Sequence, residues 1–226
     1  MKLSKRLTTI ASLVPNGIPC ADIGSDHGLL ISFLMDNKIV PYAYASDNKK
    51  GPYTKLLDNL SKRNDFDKIE VSLQDGLNNL PNKYKTIIIA GMGGELIQEI
   101  LESSYEKLEN IDYLLLAPHG REGKLRKYLV DKGFYIYDEE IVFEDHYYEI
   151  ILFKKGNKSY SSYQLEYGPI LLEKKSEVFF SKYKDKIHAL KELLNNPYLI
   201  KDRIIDISSE IVEYQKLLSD IATGDE

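Results

Sequence analysis

The sequence predicts an α/β protein with a doubly wound, mostly parallel sheet, an antiparallel last strand and a C-terminal antiparallel helical hairpin. Three observations predict it. Short β-rich runs alternate with helical stretches over the first two thirds of the chain. Two strand-like runs, Phe134–Phe143 and Tyr147–Phe153, are then joined by only Glu144-Asp145-His146, too short a link for a parallel crossover. Two long apolar seams of period 3.5 close the chain.

The parallel strands are expected at Ile18–Ile23, Tyr42–Ser46, Ile69–Leu73, Thr86–Ala90 and Tyr113–Ala117. Runs such as Ile87-Ile88-Ile89 and Leu114-Leu115-Leu116 suit strands covered on both faces. Helices are expected from Gly51-Pro52 to about Arg63, over Leu96–Leu101, and over Glu122–Lys132 with Gly133 as the stop. The polar stretch Lys154 to Ser162 marks a boundary, giving a domain of residues 1–156 and a helical part of residues 157–226. In the latter, Phe180, Tyr183, Ile187, Leu190 and Leu194 form one seam. Ile200, Ile204, Ile207, Ile211, Tyr214, Leu218 and Ile221 form the other, after the break at Asn195-Asn196-Pro197.

Composition narrows the function classes. With 43% hydrophobic and 29% charged residues, the chain is neither disordered nor a fibrous repeat. Its single cysteine, Cys20, excludes an intrachain disulfide and a cysteine metal site, and fits a reducing cytoplasm. No apolar stretch is long enough to span a membrane. Lys2, Lys5 and Arg6 precede an apolar run from Leu7 to Val14, but Pro15, Asn16, Gly17 and Pro19 interrupt it, so no leader is expected. Net charge is −5, which gives no general support for nucleic-acid binding, so local basic patches decide. The candidates are Lys2, Lys5 and Arg6; Lys49 and Lys50; Arg121, Lys124, Arg126 and Lys127; Lys154, Lys155 and Lys158; and Lys182, Lys184 and Lys186.

Four segments carry chemistry, each at the carboxyl end of an expected strand, where open α/β sheets bind ligands. The first is Ala21-Asp22-Ile23-Gly24-Ser25-Asp26-His27-Gly28. It differs from the dinucleotide fingerprint because Asp26 stands where a second glycine belongs. An acid there repels a pyrophosphate, whereas Asp22 and Asp26 suit a cationic ligand such as S-adenosylmethionine, with its sulfonium and ammonium. In the second, Asp47 lies 23 residues after Gly24, beside Asn48, where an acid can accept both ribose hydroxyls of an adenosine. In the third, Gln74-Asp75-Gly76, Asp75 can accept the adenine amino group and Gly76 leaves room for the ring; an ordinary Asp-Gly turn fits as well. The fourth, Ala90-Gly91-Met92-Gly93-Gly94, places three glycines in four residues, which suits a loop passing close to a ligand.

These segments, with Gly51-Pro52, Asp75-Gly76-Leu77, Glu144 and Tyr148-Glu149-Ile150, resemble the bacterial tRNA (adenine-22-N1)-methyltransferase family. Arg6-Leu7 and Tyr167-Gly168-Pro169 fit the same pattern. Where the family has a Gln-Pro-Asn-like motif after the fifth strand, this chain reads Leu116-Ala117-Pro118-His119. The resemblance implies a Rossmann-like class I methyltransferase sheet, S-adenosyl-L-methionine as cofactor and tRNA as partner. No metal is expected, and a cytoplasmic monomer is expected rather than a dimer, although the seams of the hairpin would also suit packing between two chains. The resemblance implies cofactor contacts from Arg6, Asp22, Gly24, Asp26, His27, Asp47, Asn48, Asp75, Gly76, Ala90, Gly91 and Met92. Asp26 and Met92 are the candidate catalytic residues, and the helical hairpin is the candidate tRNA-binding part. A methyltransferase of a small molecule or protein shares every cofactor segment, and a non-catalytic RNA-binding protein of the same fold is a further alternative. A nicotinamide oxidoreductase is disfavoured by Asp26.

Overall fold

A computed structural model describes residues 3–223. Seven strands form one sheet: β1 (Cys20–Ile23), β2 (Ala43–Asp47), β3 (Ile69–Leu73), β4 (Thr86–Gly93), β5 (Tyr113–His119), β6 (Phe134–Phe143) and β7 (Tyr147–Lys155). Their order is β3-β2-β1-β4-β5-β7-β6. The first five are parallel, and β7 runs antiparallel between β5 and β6. Growth of the sheet reverses between β1 and β4, so the connections leave a crevice at their carboxyl ends.

Each face carries its own core. On one face Cys20, Ala43, Ala45, Ile88 and Leu115 pack with helices α1 (Lys5–Leu13), α2 (Leu29–Asp36) and α3 (Lys50–Ser61). On the other, Ala21, Ile87, Ile89, Leu114 and Leu116 pack with α4 (Gly94–Ser103), the single turn α5 (Tyr105–Leu108) and α6 (Glu122–Asp131). This two-sided burial is why the strand cores read as unbroken apolar runs. Helix α1 was not expected from the sequence. It starts at Ser4, whose hydroxyl accepts from Leu7 N at 3.3 Å, and it buries Ile10, Ala11 and Leu13. Cys20 is buried, and burial pushes its thiol pKa up, so it is inert as a nucleophile.

Two short helices follow the sheet, α7 (Ser162–Tyr167), which opens on a Ser161/Gln164 capping box, and α8 (Pro169–Lys174). Packing divides the chain into Met1–Ile170 and Leu171–Glu226. The boundary expected at 156/157 therefore lies inside the first unit, for reasons found in its hydrogen bonds. The Tyr160 hydroxyl accepts from Ile136 N at 3.0 Å and donates to Ile136 O at 3.1 Å. Ile170 N donates to Glu139 Oε2 at 3.0 Å. The change of composition marks a loop, while the chain beyond it, as far as Ile170, still packs with the first unit.

In the second unit, α9 (Glu177–Leu194) and α10 (Lys201–Thr223) form the expected hairpin. Ile187, Ile207 and Ile211 make its core, with Leu190, Leu194, Tyr214 and Leu218 against them. Two details of the expected seams are corrected. Phe179, not Phe180, is the fully buried aromatic at the start of α9, and Ile200 and Ile204 are exposed. Both lie near the ends of the seams, where few partner residues remain to cover them.

A buried ion cluster ties the antiparallel strands to the helices around them. Arg126 of α6 donates from Nε to Glu139 of β6 at 2.6 Å and from a terminal nitrogen to Glu149 of β7. Its other terminal nitrogen donates to the carbonyls of Leu165 and Glu166. All three side chains are buried. Burial disfavours the Arg126 charge, but the two carboxylates outweigh it and hold the guanidinium pKa above its ordinary value. Burial raises the Glu139 pKa against the pull of Arg126. Arg126→Met, which strands two buried carboxylates, is expected to lower unfolding free energy by about 3–5 kcal/mol in urea titrations. The triple replacement of Arg126, Glu139 and Glu149 by apolar residues of similar volume recovers most of that loss.

Candidate active site

The strand ends are aligned by backbone bonds. Gly24 N and Ser25 N both donate to Ser46 O at 2.9 Å, and Gln74 N donates to Asp47 O at 3.1 Å. A cleft of about 350 Å³ opens over these ends. Gly24, Asp47, Asn48, Asp75, Gly76, Ala90, Gly91 and Met92 all line it, so eight of the expected site residues meet in one place. Asp47 Oδ1 accepts from Lys49 N at 2.8 Å at the start of α3, which fixes the carboxylate. Asn48 Nδ2 donates to Asp75 Oδ1 at 3.3 Å, joining the ends of β2 and β3.

The glycine-rich fourth segment is not the loop expected from its composition. Strand β4 continues to Gly93, pairing Met92 with Pro118 and Gly93 with His119, across an irregularity between Ala90 and Met92. Gly91 supplies the extra residue at φ +75°. Strict alternation places Met92 on the face of Ile88 and Ala90; the bulge turns it to the opposite face, with Ile87 and Ile89. There it reaches Gly24 so closely that an added Cβ would collide with the Met92 methyl. Gly94 is required for a different reason: a Cβ there would lie 2.6 Å from Gly120 O.

Four expected residues do not line the cleft. Asp22 is buried, and its carboxyl pKa is raised to about 6 by burial, with Ser25 lowering it and Asp26 adding to the rise. Asp26 is 87% exposed and pairs with His27 at 3.3 Å. His27 stands at φ +56°, and its carbonyl accepts from Asn59 Nδ2 at 3.1 Å. Arg6 approaches from α1, with a terminal nitrogen 3.3 Å from where a Gly91 Cβ would stand. Gly28 is explained by packing, since a Cβ there would press on Leu56 and Leu60 of α3.

Three cleft residues had no assigned role in the sequence. Leu96 and Ile100 share one face of α4 at helical spacing and supply apolar wall. Gln74 donates from Nε2 to Gly76 O at 3.0 Å, and its buried Oε1 has no hydrogen-bond partner among the described residues. A buried acceptor without a partner at a cleft wall is suited to a ligand donor. Among the described residues no group of three or more His, Cys, Asp or Glu is placed to hold a metal, and no helix is long and apolar enough to cross a membrane.

The sequence matches a methyltransferase domain family over residues 3–151. It is 34% identical over 195 residues to the tRNA (adenine(22)-N(1))-methyltransferase of Bacillus subtilis, covering 83% of this chain and 82% of that protein. The chain belongs to this methyltransferase family. Two solved structures of similar proteins hold the cofactor or its product. Streptococcus pneumoniae Sp1610, in complex with S-adenosyl-L-methionine, superposes with a TM-score of 0.88 at 33% identity, over 96% of this chain and 100% of that one. M. capricolum TrmK, in complex with S-adenosyl-homocysteine, gives 0.85 at 27% identity, over 98% and 100%.

Two members of the basic patches are corrected. Arg126 is the centre of the buried ion cluster, and Lys182 is buried beside the Tyr183 ring. Lys5, Lys49, Lys50, Arg121, Lys124, Lys127, Lys155, Lys158, Lys184 and Lys186 are exposed. Lys2 lies outside the described residues.

The raised Asp22 pKa has a stability consequence. The folded state retains a proton that the unfolded chain loses near pH 3.8, so this group subtracts stability as pH rises from about 4 to about 6. The full effect corresponds to about 3 kcal/mol. The stability of Asp22→Asn minus that of wild type, from urea titrations, is expected to grow over that window and stay flat above it.

Proposed function

We propose that this chain transfers the methyl group of S-adenosyl-L-methionine to N1 of adenine 22 in the D-arm region of tRNA, in the cytoplasm. The observation that carries this reading is the meeting of Gly24, Asp47, Asp75 and Met92, from four successive strand ends, in one cleft of a member of this family. The cleft fits an adenosine cofactor: it offers a fixed carboxylate at Asp47, an unpartnered buried acceptor at Gln74 and apolar wall from Leu96 and Ile100. Asp47 accepts from the ribose hydroxyls. Asp75, held by Asn48, takes the adenine amino group, and Gly76 leaves room for the ring. Gly24, Ala90 and Gly91 let backbone approach the sulfur end. Arg6 meets the methionine carboxylate, Asp22 and Asp26 offset the cationic groups, and His27 orients Asp26.

When bound, the cofactor supplies an electrophilic methyl on a sulfonium. Adenine N1 carries a lone pair at neutral pH, so the chain needs no strong base. Its task is to hold N1 in line with that methyl at roughly 3–3.5 Å and to exclude water. Asp26 is the group that would offset positive charge on the methylated ring. The bulge at Gly91 sets the position of Met92, which lines the acceptor side. A base in a structured arm must leave its stack to reach the cleft.

The test is methyl transfer from labelled cofactor to two unmodified tRNA transcripts that differ only in adenine or guanine at position 22. Transfer to the adenine form alone is expected. Transfer to neither, with cofactor binding intact, overturns the tRNA reading.

The helical hairpin is the proposed grip on the tRNA body, through phosphates. Exposed Lys184 and Lys191 on α9 support it. Replacing both with Gln is expected to weaken tRNA binding and flatten the slope of log affinity against log salt by about one per lost contact. Cofactor affinity stays unchanged.

A further inference from the structure

Beyond the cleft, the carboxyl edge of the sheet continues to β5 and β7, where His119 and Tyr148 have no role so far. His119 ends β5 directly beside Gly93, its partner in the β4 register. Its exposed ring stands edge-on to the Tyr148 ring, with centroids 5.4 Å apart at 70°. Tyr148 is itself held in place. Its hydroxyl donates to Asp145 Oδ1 at 2.7 Å, and the Arg6 guanidinium lies 5.1 Å from its ring centroid. The turn after His119 lies close over the start of α4, where a Cβ on Gly94 would stand 2.6 Å from Gly120 O, and Arg121 pairs with Glu95 at 2.6 Å. His119 is thus an exposed ring at the end of a paired strand, backed by Tyr148 and one strand past Met92.

The order of groups along the edge gives this ring a task. Asp75, Asp47, Gly24 and Met92 stand at the ends of β3, β2, β1 and β4, so the proposed cofactor runs from its adenine to its methyl in that direction. A displacement at the methyl carbon needs the acceptor on the side away from sulfur, which is the side of β5 and β7. Resting on the methyltransferase reading above, we infer that His119, carried on Tyr148, is the platform that stacks the exposed acceptor adenine. Nucleobases outside a helix are gripped by stacking on aromatic or imidazole rings. Tyr148 is a positioning residue, since it is buried and acts through His119.

The experiment compares wild type, His119→Ala and His119→Phe in steady-state methylation of the adenine-22 transcript, with S-adenosylhomocysteine affinity measured by calorimetry. Because His119 is exposed, neither variant disturbs the core. His119→Ala is expected to lower kcat/KM for tRNA by about tenfold to a hundredfold, the usual effect of losing one stacked base. S-adenosylhomocysteine affinity stays within twofold, and His119→Phe restores most of the activity. An active wild type with His119→Ala within twofold of it overturns the assignment. So do equal losses in the two variants, which remove the stacking role. A wild type that methylates neither adenine-22 nor guanine-22 transcripts overturns the underlying tRNA reading instead, and the platform with it.

Discussion

The site depends on one close approach. Gly24, just past the end of β1, and Met92, near the end of β4, meet closely: a Cβ on Gly24 would fall on the Met92 methyl, and Gly24 stands at φ +76°, where a side chain is strained. The sheet reverses its growth between these two strands, so their carboxyl ends stand side by side with no connection crossing over them. A single extra residue at Gly91 turns Met92 toward Gly24 instead of toward the opposite face. With that residue removed, the same sequence would carry Met92 on the far side of the sheet. The cleft thus owes its shape to a backbone irregularity more than to any charged side chain.

A second constraint keeps the far half of the sheet in place. The antiparallel strands β6 and β7 are joined to α6 and α7 by one arginine with two carboxylates, all out of contact with water. Such a cluster is costly to bury and contributes to stability only while every member is present. It also fixes the start of β7, and so the position of Tyr148 beside the cleft. The ions do no chemistry themselves, yet the aromatic groups at the sheet edge stand on the strands they hold.

Much of this was legible in the sequence because it follows from local pattern. Unbroken runs such as Ile87-Ile88-Ile89 marked strands covered on both faces, and the three-residue link after Phe143 marked the antiparallel pair. Four strand ends carrying Gly24, Asp47, Asp75 and Met92 marked the cleft. What was not legible depends on partners distant in the chain. Arg126 reads as one of several surface cations, because nothing near it in sequence shows that Glu139 and Glu149 will face it. Glycines at 91, 93 and 94 read as a loop passing close to a ligand, whereas the structure gives them separate uses: a bulge at Gly91, strand pairing at Gly93 and, at Gly94, room beside the Gly120 carbonyl. Asp22 and Asp26 read as a pair, and the structure separates them, one buried and one in solvent.

The central claim is that Met92 stands at the cofactor's reactive end. The chain contains three methionines, Met1, Met35 and Met92, so the methyl signals of a sample labelled at the methionine methyl carbon are few. Met35 lies buried on α2, in the core of the opposite face, and serves as an internal control. On titration with S-adenosylhomocysteine, the Met92 methyl resonance is expected to shift while that of Met35 holds still. Binding detected by calorimetry with an unmoved Met92 signal would contradict the account.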